Sequence, residues 1–167
     1  QMVFVMFSMS VASMGRVYEV LIEEPTIKNC ENPIKEVSSG DILFKNVSFK
    51  YKKDAEKYAL SDVNLEIKNG QTVGIIGGTG SSKSTVVNLI SRFYDTTEGD
   101  VEVGGINVKD YDIKTLRENV SMVLQNNILF SGTINENLRW GNNNATDEEI
   151  VEACKIAQAD TFIESFP

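Results

Sequence analysis

The chain has 167 residues, 41% of them hydrophobic and 24% charged, enough for one globular domain with an ordinary core. That balance excludes a disordered chain and a multi-span membrane protein. The net charge of −8, without any dense run of Lys and Arg, disfavours nucleic-acid binding by phosphate neutralisation. The chain has no histidine, which removes His-based catalysis and His-ligated metal. Cys30 and Cys154 lie far apart without metal-ligand spacing. Reduced thiols in a cytosolic setting are the favoured reading, with a disulfide left open.

Residues 2–14 are almost uncharged and rich in methionine. A spanning helix needs about 20 apolar residues, so this run is too short to cross a bilayer alone. No positive region precedes it and no cleavage site follows, which argues against a signal peptide. The chain begins at Gln1 rather than Met, and the run is expected to be the tail of a longer helix. A buried helix of a soluble domain is the alternative. Gly15 to Glu24 becomes amphipathic and stops at Pro25. Residues 25–40 carry Pro25, Pro33, Asn29, Asn32 and Gly40 and read as a linker.

From Asp41 the pattern changes to strands. Ile42 to Tyr51 is rich in β-branched and aromatic residues, and Leu60 to Lys68 alternates through Val63, Leu65 and Ile67. Asn69-Gly70 signals a turn. Thr72 to Ile76 reads as a buried strand, and Lys83 to Tyr94 has helical spacing at Val86, Leu89, Ile90 and Phe93. A short strand is expected at Asp100–Val103, a short helix at Ile113–Asn119, and a buried strand at Val120–Leu124. Asp147 to Phe166 is expected to be helical, opened by a capping box of Thr146 and Glu149.

The chemistry sits between the expected strand at 72–76 and the helix beginning near Lys83. Residues Gly77, Gly78, Thr79, Gly80, Ser81, Ser82, Lys83, Ser84 and Thr85 form a phosphate-binding loop pattern. A Gly-rich loop lets successive backbone N–H groups face phosphate oxygens, and the helix N-terminus adds its positive end. Lys83 would supply a point charge to the β- and γ-phosphates of ATP, and the Ser84 hydroxyl would coordinate Mg²⁺. One residue departs from G-x-x-x-x-G-K-[ST]: Ser82 stands where glycine is usual. If that position must be left-handed, a non-glycine residue costs about 1–2 kcal/mol.

With these motifs, the sequence from about residue 41 to its end resembles the nucleotide-binding domain of ABC exporters. The resemblance implies an α/β P-loop NTPase of ABC type: an antiparallel β-subdomain, an incomplete parallel core sheet and an N-terminal helix. Phe49-Lys50-Tyr51, with Tyr51 26 residues before Gly77, resembles the family's adenine-stacking aromatic; Tyr58 is a weaker candidate. Val120 to Gln125 resembles the Q-loop, whose glutamine would reach Mg²⁺ and the attacking water. Asn126 to Leu138 looks like the segment facing the coupling helices of the transmembrane domain, with Ile128, Leu129 and Phe130 as docking residues or plain core.

Met14 to Leu21 is similar to the stretch that leads from the last spanning helix of an exporter into its ATPase domain. The implied organisation is the cytoplasmic end of that helix at 1–24, a linker at 25–40, and the nucleotide-binding domain at 41–167. The family's Leu-Ser-Gly-Gly-Gln signature, its Asp-Glu acidic strand and its switch histidine do not occur here. The expectation is a truncated domain that hydrolyses ATP negligibly in isolation, from a parent ATPase in the cell membrane with this segment on the cytoplasmic face. The implied partners are a second nucleotide-binding domain, with a heterodimer favoured, and the transmembrane domain; no nucleic acid is implied. Features such as Ser82 and the Leu-Arg-Trp-Gly stretch at 138–141 look similar to bacterial multidrug-type exporters. Rival readings are a non-hydrolysing regulatory partner and, less favoured, a soluble ABC ATPase.

Overall fold

The structure is a computed structural model that describes residues 2–165; Gln1, Phe166 and Pro167, and the readings that fall on them, lie outside it. The chain divides after Ser121 into two compact units.

The first unit opens with α1 (Met2–Leu21), ending before Pro25 as expected. Its described apolar side chains, including Met6, Phe7, Met9, Val17 and Val20, are exposed, so it is not a buried helix here. Among the described residues no helix is long and apolar enough to cross a membrane.

β1 (Ile42–Phe49) and β2 (Leu60–Ile67) form where the sequence places them. β3 (Glu98–Val103) begins earlier than the pattern suggests, and β4 (Ile106–Asn107) is too short to leave one. The four make one sheet in the order β2-β1-β3-β4, with every neighbouring pair antiparallel. Register follows the apolar pattern: Phe44 lies opposite Leu65 and Val101, and Ile42 opposite Ile67 and Val103. Gly99 has φ +74, and a Cβ there would meet the Asn46 and Lys45 carbonyls at 2.3 Å. No other residue fits that approach of β3 to β1.

α2 (Lys83–Ile90) buries Thr85, Val86, Leu89 and Ile90, a stripe at helical spacing that packs against β3. These apolar residues join Phe44, Val47, Phe49, Val101, Val103, Val108, Tyr111 and Leu116 in one core. Fully buried Tyr111 donates its hydroxyl to the Val103 carbonyl at 2.9 Å, and burial pushes its phenol above the ordinary value. α3 (Ile113–Asn119) has the expected limits; Asp112 caps it, accepting from Thr115 N at 3.0 Å.

Two expected strands do not form. Thr72–Ile76 and Val120–Leu124 pair with no strand among the described residues, and both are largely exposed: Ile76 by 99%, Val123 by 90%. A strand exists only when a neighbour takes up its N–H and C=O groups, and an apolar run specifies burial without naming that neighbour. The one parallel pairing among the described residues is an isolated bridge between Ile34 and Tyr111. That bridge fastens the 25–40 segment to the unit.

The second unit holds α4 (Ile134–Leu138), α5 (Asp147–Ile156) and α6 (Asp160–Ile163). The expected capping box of Thr146 and Glu149 opens α5. The expected helical region from Asp147 is divided into α5 and α6 at Gln158, which adopts φ 54. Gln158 N donates to Lys155 O at 3.0 Å and Ala159 N to Cys154 O at 2.8 Å, closing α5 with a Schellman motif built on glutamine. α4 is an addition to the expected elements. Thr133 and Glu136 carry the same capping-box signal, and both of its bonds are made.

Candidate functional site

The phosphate-loop residues lie together in the first unit. A Cβ at Gly77 would stand 2.5 Å from Ser81 Oγ, so that side chain would have to shift. Gly80 turns at φ +83. Ser82 caps α2 in the left-handed conformation, φ 58 and ψ 24, with no side-chain cap bond. The strain anticipated for a non-glycine residue there is present. The Ser82 carbonyl takes the first helical bonds, from Thr85 N at 3.0 Å and Val86 N at 3.4 Å.

Lys83 arches back over this loop. Its Nζ donates to the Gly77 and Gly78 carbonyls, both at 2.7 Å, and to Ser81 Oγ at 3.1 Å. Ser81 Oγ donates to Gly78 O at 2.8 Å. An ammonium group thus sits above the start of an eight-residue helix whose first turn carries no acidic residue. Such a site favours an anion through both a full charge and the helix dipole. On the first turn Ser84 is exposed and Thr85 is buried.

Tyr51 lies just past β1 and is held to the loop's helix, its hydroxyl 2.8 Å from Thr85 Oγ1. Its ring meets Phe49 and Tyr94 edge-on, at centroid distances of 4.9 and 5.1 Å, and remains half exposed. Tyr58 is engaged elsewhere. Its hydroxyl donates to Glu98 at 2.6 Å, which raises its pKa above the usual phenol value, and Lys50 lies over its ring. Tyr94 joins the aromatic cluster without belonging to any motif in the sequence. Its place at the end of the apolar period Val86, Leu89, Ile90, Phe93 is the available signal.

Gln125 belongs to the second unit, where it is exposed and outside any strand. The following segment is organised by Asn137, which accepts from Phe130 N at 2.7 Å and donates to Phe130 O at 3.0 Å. The Phe130 ring stacks on Trp140 at 4.7 Å and 8°. Ile128, Leu129 and Phe130 are exposed, so none is a core residue of this unit. Both cysteines are free thiols.

The fold and the loop define the class: an ABC-type P-loop NTPase domain, with its antiparallel sheet in place. Comparison with known proteins agrees. Residues 60–166 match the family described as ABC transporter. The chain is 47% identical over 159 residues to YgaD of Bacillus subtilis (strain 168), whose name describes a putative multidrug export ATP-binding/permease protein. The match covers 95% of this chain and 27% of YgaD. It is 44% identical to YknV of the same organism, an uncharacterized ABC transporter ATP-binding protein, covering 93% of the chain and 26% of YknV. The solved structure of a bacterial Atm1-family ABC exporter with ATP bound superposes with a TM-score of 0.86 at 29% identity. It covers 99% of this chain and 29% of that one. The chain belongs to the ABC transporter family and spans about a quarter of the length of the curated relatives it matches.

Proposed function

We propose that the chain is the ATP-binding portion of an ABC exporter, and that residues 77–85 grip the triphosphate of ATP. The observation that carries this reading is the loop itself. Gly77 lies close under the Ser81 side chain, Gly80 and Ser82 turn left-handed, and the Lys83 ammonium lies across the loop carbonyls. In ATP binding, Lys83 exchanges those carbonyls for β- and γ-phosphate oxygens, and the amides from Gly80 to Thr85 supply neutral donors. Tyr51 offers the exposed face of its ring to the adenine. The Ser84 hydroxyl on the first turn of α2 is a hard oxygen donor of the kind Mg²⁺ takes, and, separately, so is the Gln125 amide oxygen of the second unit; both are offered as metal ligands on the family resemblance. Magnesium held there would supply positive charge against that developing on the phosphates. Lys83 and Gln125 are the residues of this segment that act directly in hydrolysis.

In this reading residues 1–24 are the cytoplasmic end of the last transmembrane helix, 25–40 the linker and 41–167 part of the nucleotide-binding domain. The parent sits in the cell membrane with this segment on the cytoplasmic face. It pairs with a second nucleotide-binding domain, a heterodimer being favoured, and its coupling helices meet Ile128, Leu129 and Phe130. ATP binding joins the two domains and hydrolysis separates them, moving the spanning helices between two orientations. The Ser82 backbone favours a second reading, a regulatory subunit that binds ATP without turning it over. Single-turnover hydrolysis by the full protein in its native dimer separates these two readings.

The test of the shared claim is a Mg-ATP titration of the intact nucleotide-binding domain, followed by amide resonances. Shifts from Gly80 to Thr85 that disappear in Lys83→Ala support it, and unmoved resonances overturn it. The segment alone is expected to hydrolyse ATP negligibly, since phosphoryl transfer depends mostly on positioning and charge. Multiple turnover lost in Lys83→Ala would contradict that expectation.

A further inference from the structure

Arg92 is a buried cation, 5% exposed, that the nucleotide site does not use. It follows α2 in the left-handed conformation at φ 49, and its N–H closes the helix onto Leu89 O at 3.1 Å. Its guanidinium reaches three ways. Nε donates to Asp95 Oδ1 at 2.9 Å, Nη1 to the Lys109 carbonyl at 3.1 Å, and Nη2 to the Lys28 carbonyl at 3.2 Å. The last of these is in the linker. Arg117 of α3 grips the same helix end, donating to the Ser91 and Arg92 carbonyls at 3.3 and 2.8 Å.

Beside this contact the linker is fastened twice more. Asn29 donates to Asp112 Oδ1 at 2.6 Å and accepts from Ile113 N at 2.9 Å. Ile34 pairs with the 110–112 backbone through bonds of 2.9 Å in each direction. α2 is eight residues long, about 12 Å, with Lys83 at one end and Arg92 just beyond the other. A short helix packed along its length moves as a rigid piece, so a change at its first turn displaces the carbonyls and the arginine at its last.

We propose that Arg92 is a positioning residue that ties the linker to the far end of the phosphate-loop helix, so that nucleotide uptake at Lys83 is felt at residues 28–34. The planar fork suits this role, since one side chain holds an acidic partner and two separate carbonyls in fixed directions. A lysine would hold one of them at a time. The proposal rests on the ATP-binding reading above.

The experiment is hydrogen–deuterium exchange on the full-length protein with and without Mg-ATP. In the unaltered protein, exchange slows at 77–86 and also at 28–34, the latter by about fivefold or more. In Arg92→Gln the slowing at 77–86 persists while that at 28–34 is lost, and Arg92→Lys restores only part of it. Asn29→Ala, at an exposed position, weakens the 28–34 response in the same direction and serves if Arg92→Gln does not fold. A linker response that survives both substitutions overturns the proposal, as does loss at both segments together, which marks a purely structural arginine. Absence of slowing at 77–86 in the unaltered protein overturns the ATP-binding reading instead.

Discussion

β1 and the run from Thr72 to Ile76 lie in the same unit, and both are rich in β-branched or aromatic residues. β1 is hydrogen-bonded along both edges, to β2 and β3, and its Phe44 and Val47 are almost wholly buried. The 72–76 run has no strand beside it among the described residues, and Val73, Ile75 and Ile76 face solvent. Apolar side chains alone therefore do not bury a segment. The backbone must also exchange its bonds with water for bonds with a neighbour, and only β1 has one.

The contrast can be broken by substitution. Phe44→Ala should destabilise the first unit by about 3–5 kcal/mol, whereas Ile76→Ala should stay within about 0.5 kcal/mol in the same chain. Denaturant melts of the two variants check this; equal losses would mean that 72–76 is buried after all. In a longer chain that supplies a neighbouring strand, amide exchange at 73–76 should slow towards that of β1.

Within the loop joining the exposed run to the packed helix, the effects are smaller. Gly77→Ala forces a methyl against Ser81 Oγ and should weaken Mg-ATP binding by about tenfold, read by calorimetry on the intact domain. Ser82→Gly relieves a left-handed residue and should add about 1 kcal/mol of stability while leaving the Phe44 core unchanged. A Ser82→Gly variant that melts no later than the original would show that the surroundings already compensate the strain.

The smallest effect expected is with pH. A backbone bond from Thr115 holds the Asp112 carboxyl below its usual range, and in the second unit bonds from Asn135 and Arg139 do the same for Asp147. A lowered folded pKa means the carboxylate stabilises the fold fully above the ordinary aspartate value of about 3.9. That contribution is lost as pH falls through the lower folded value. Melts below pH 4 should show this loss of stability diminished in Asp112→Asn, whose amide still caps α3 but does not titrate in this range.

Much of this is legible in the chain. Local signals place β1, β2, the start of α2, α3 and the opening of α5, because caps and apolar periodicity act within a few residues; α2 itself ends at Ile90, short of the expected Tyr94, where Arg92 turns left-handed. The phosphate loop is legible for the same reason: glycine spacing and a lysine are local facts, and the left-handed turn at Ser82 follows from the pattern that wants glycine there. α4 is signalled by its capping box alone, without an apolar period long enough to announce a helix. The break at Gln158 is hidden, since glutamine carries no sign that it will adopt positive φ.

What only the tertiary structure decided was pairing over distance. Neither the fate of 72–76 nor that of 120–124 is written in those residues, because strand formation depends on a neighbour supplied from elsewhere, and among the described residues neither run has one. The same holds for residues 25–40, whose prolines and asparagines read as a linker until Arg92, Asp112 and Tyr111 are seen to hold them. Sequence determines what each short stretch prefers; burial and long-range hydrogen bonds, whose partners lie far along the chain, determine which preferences are realised.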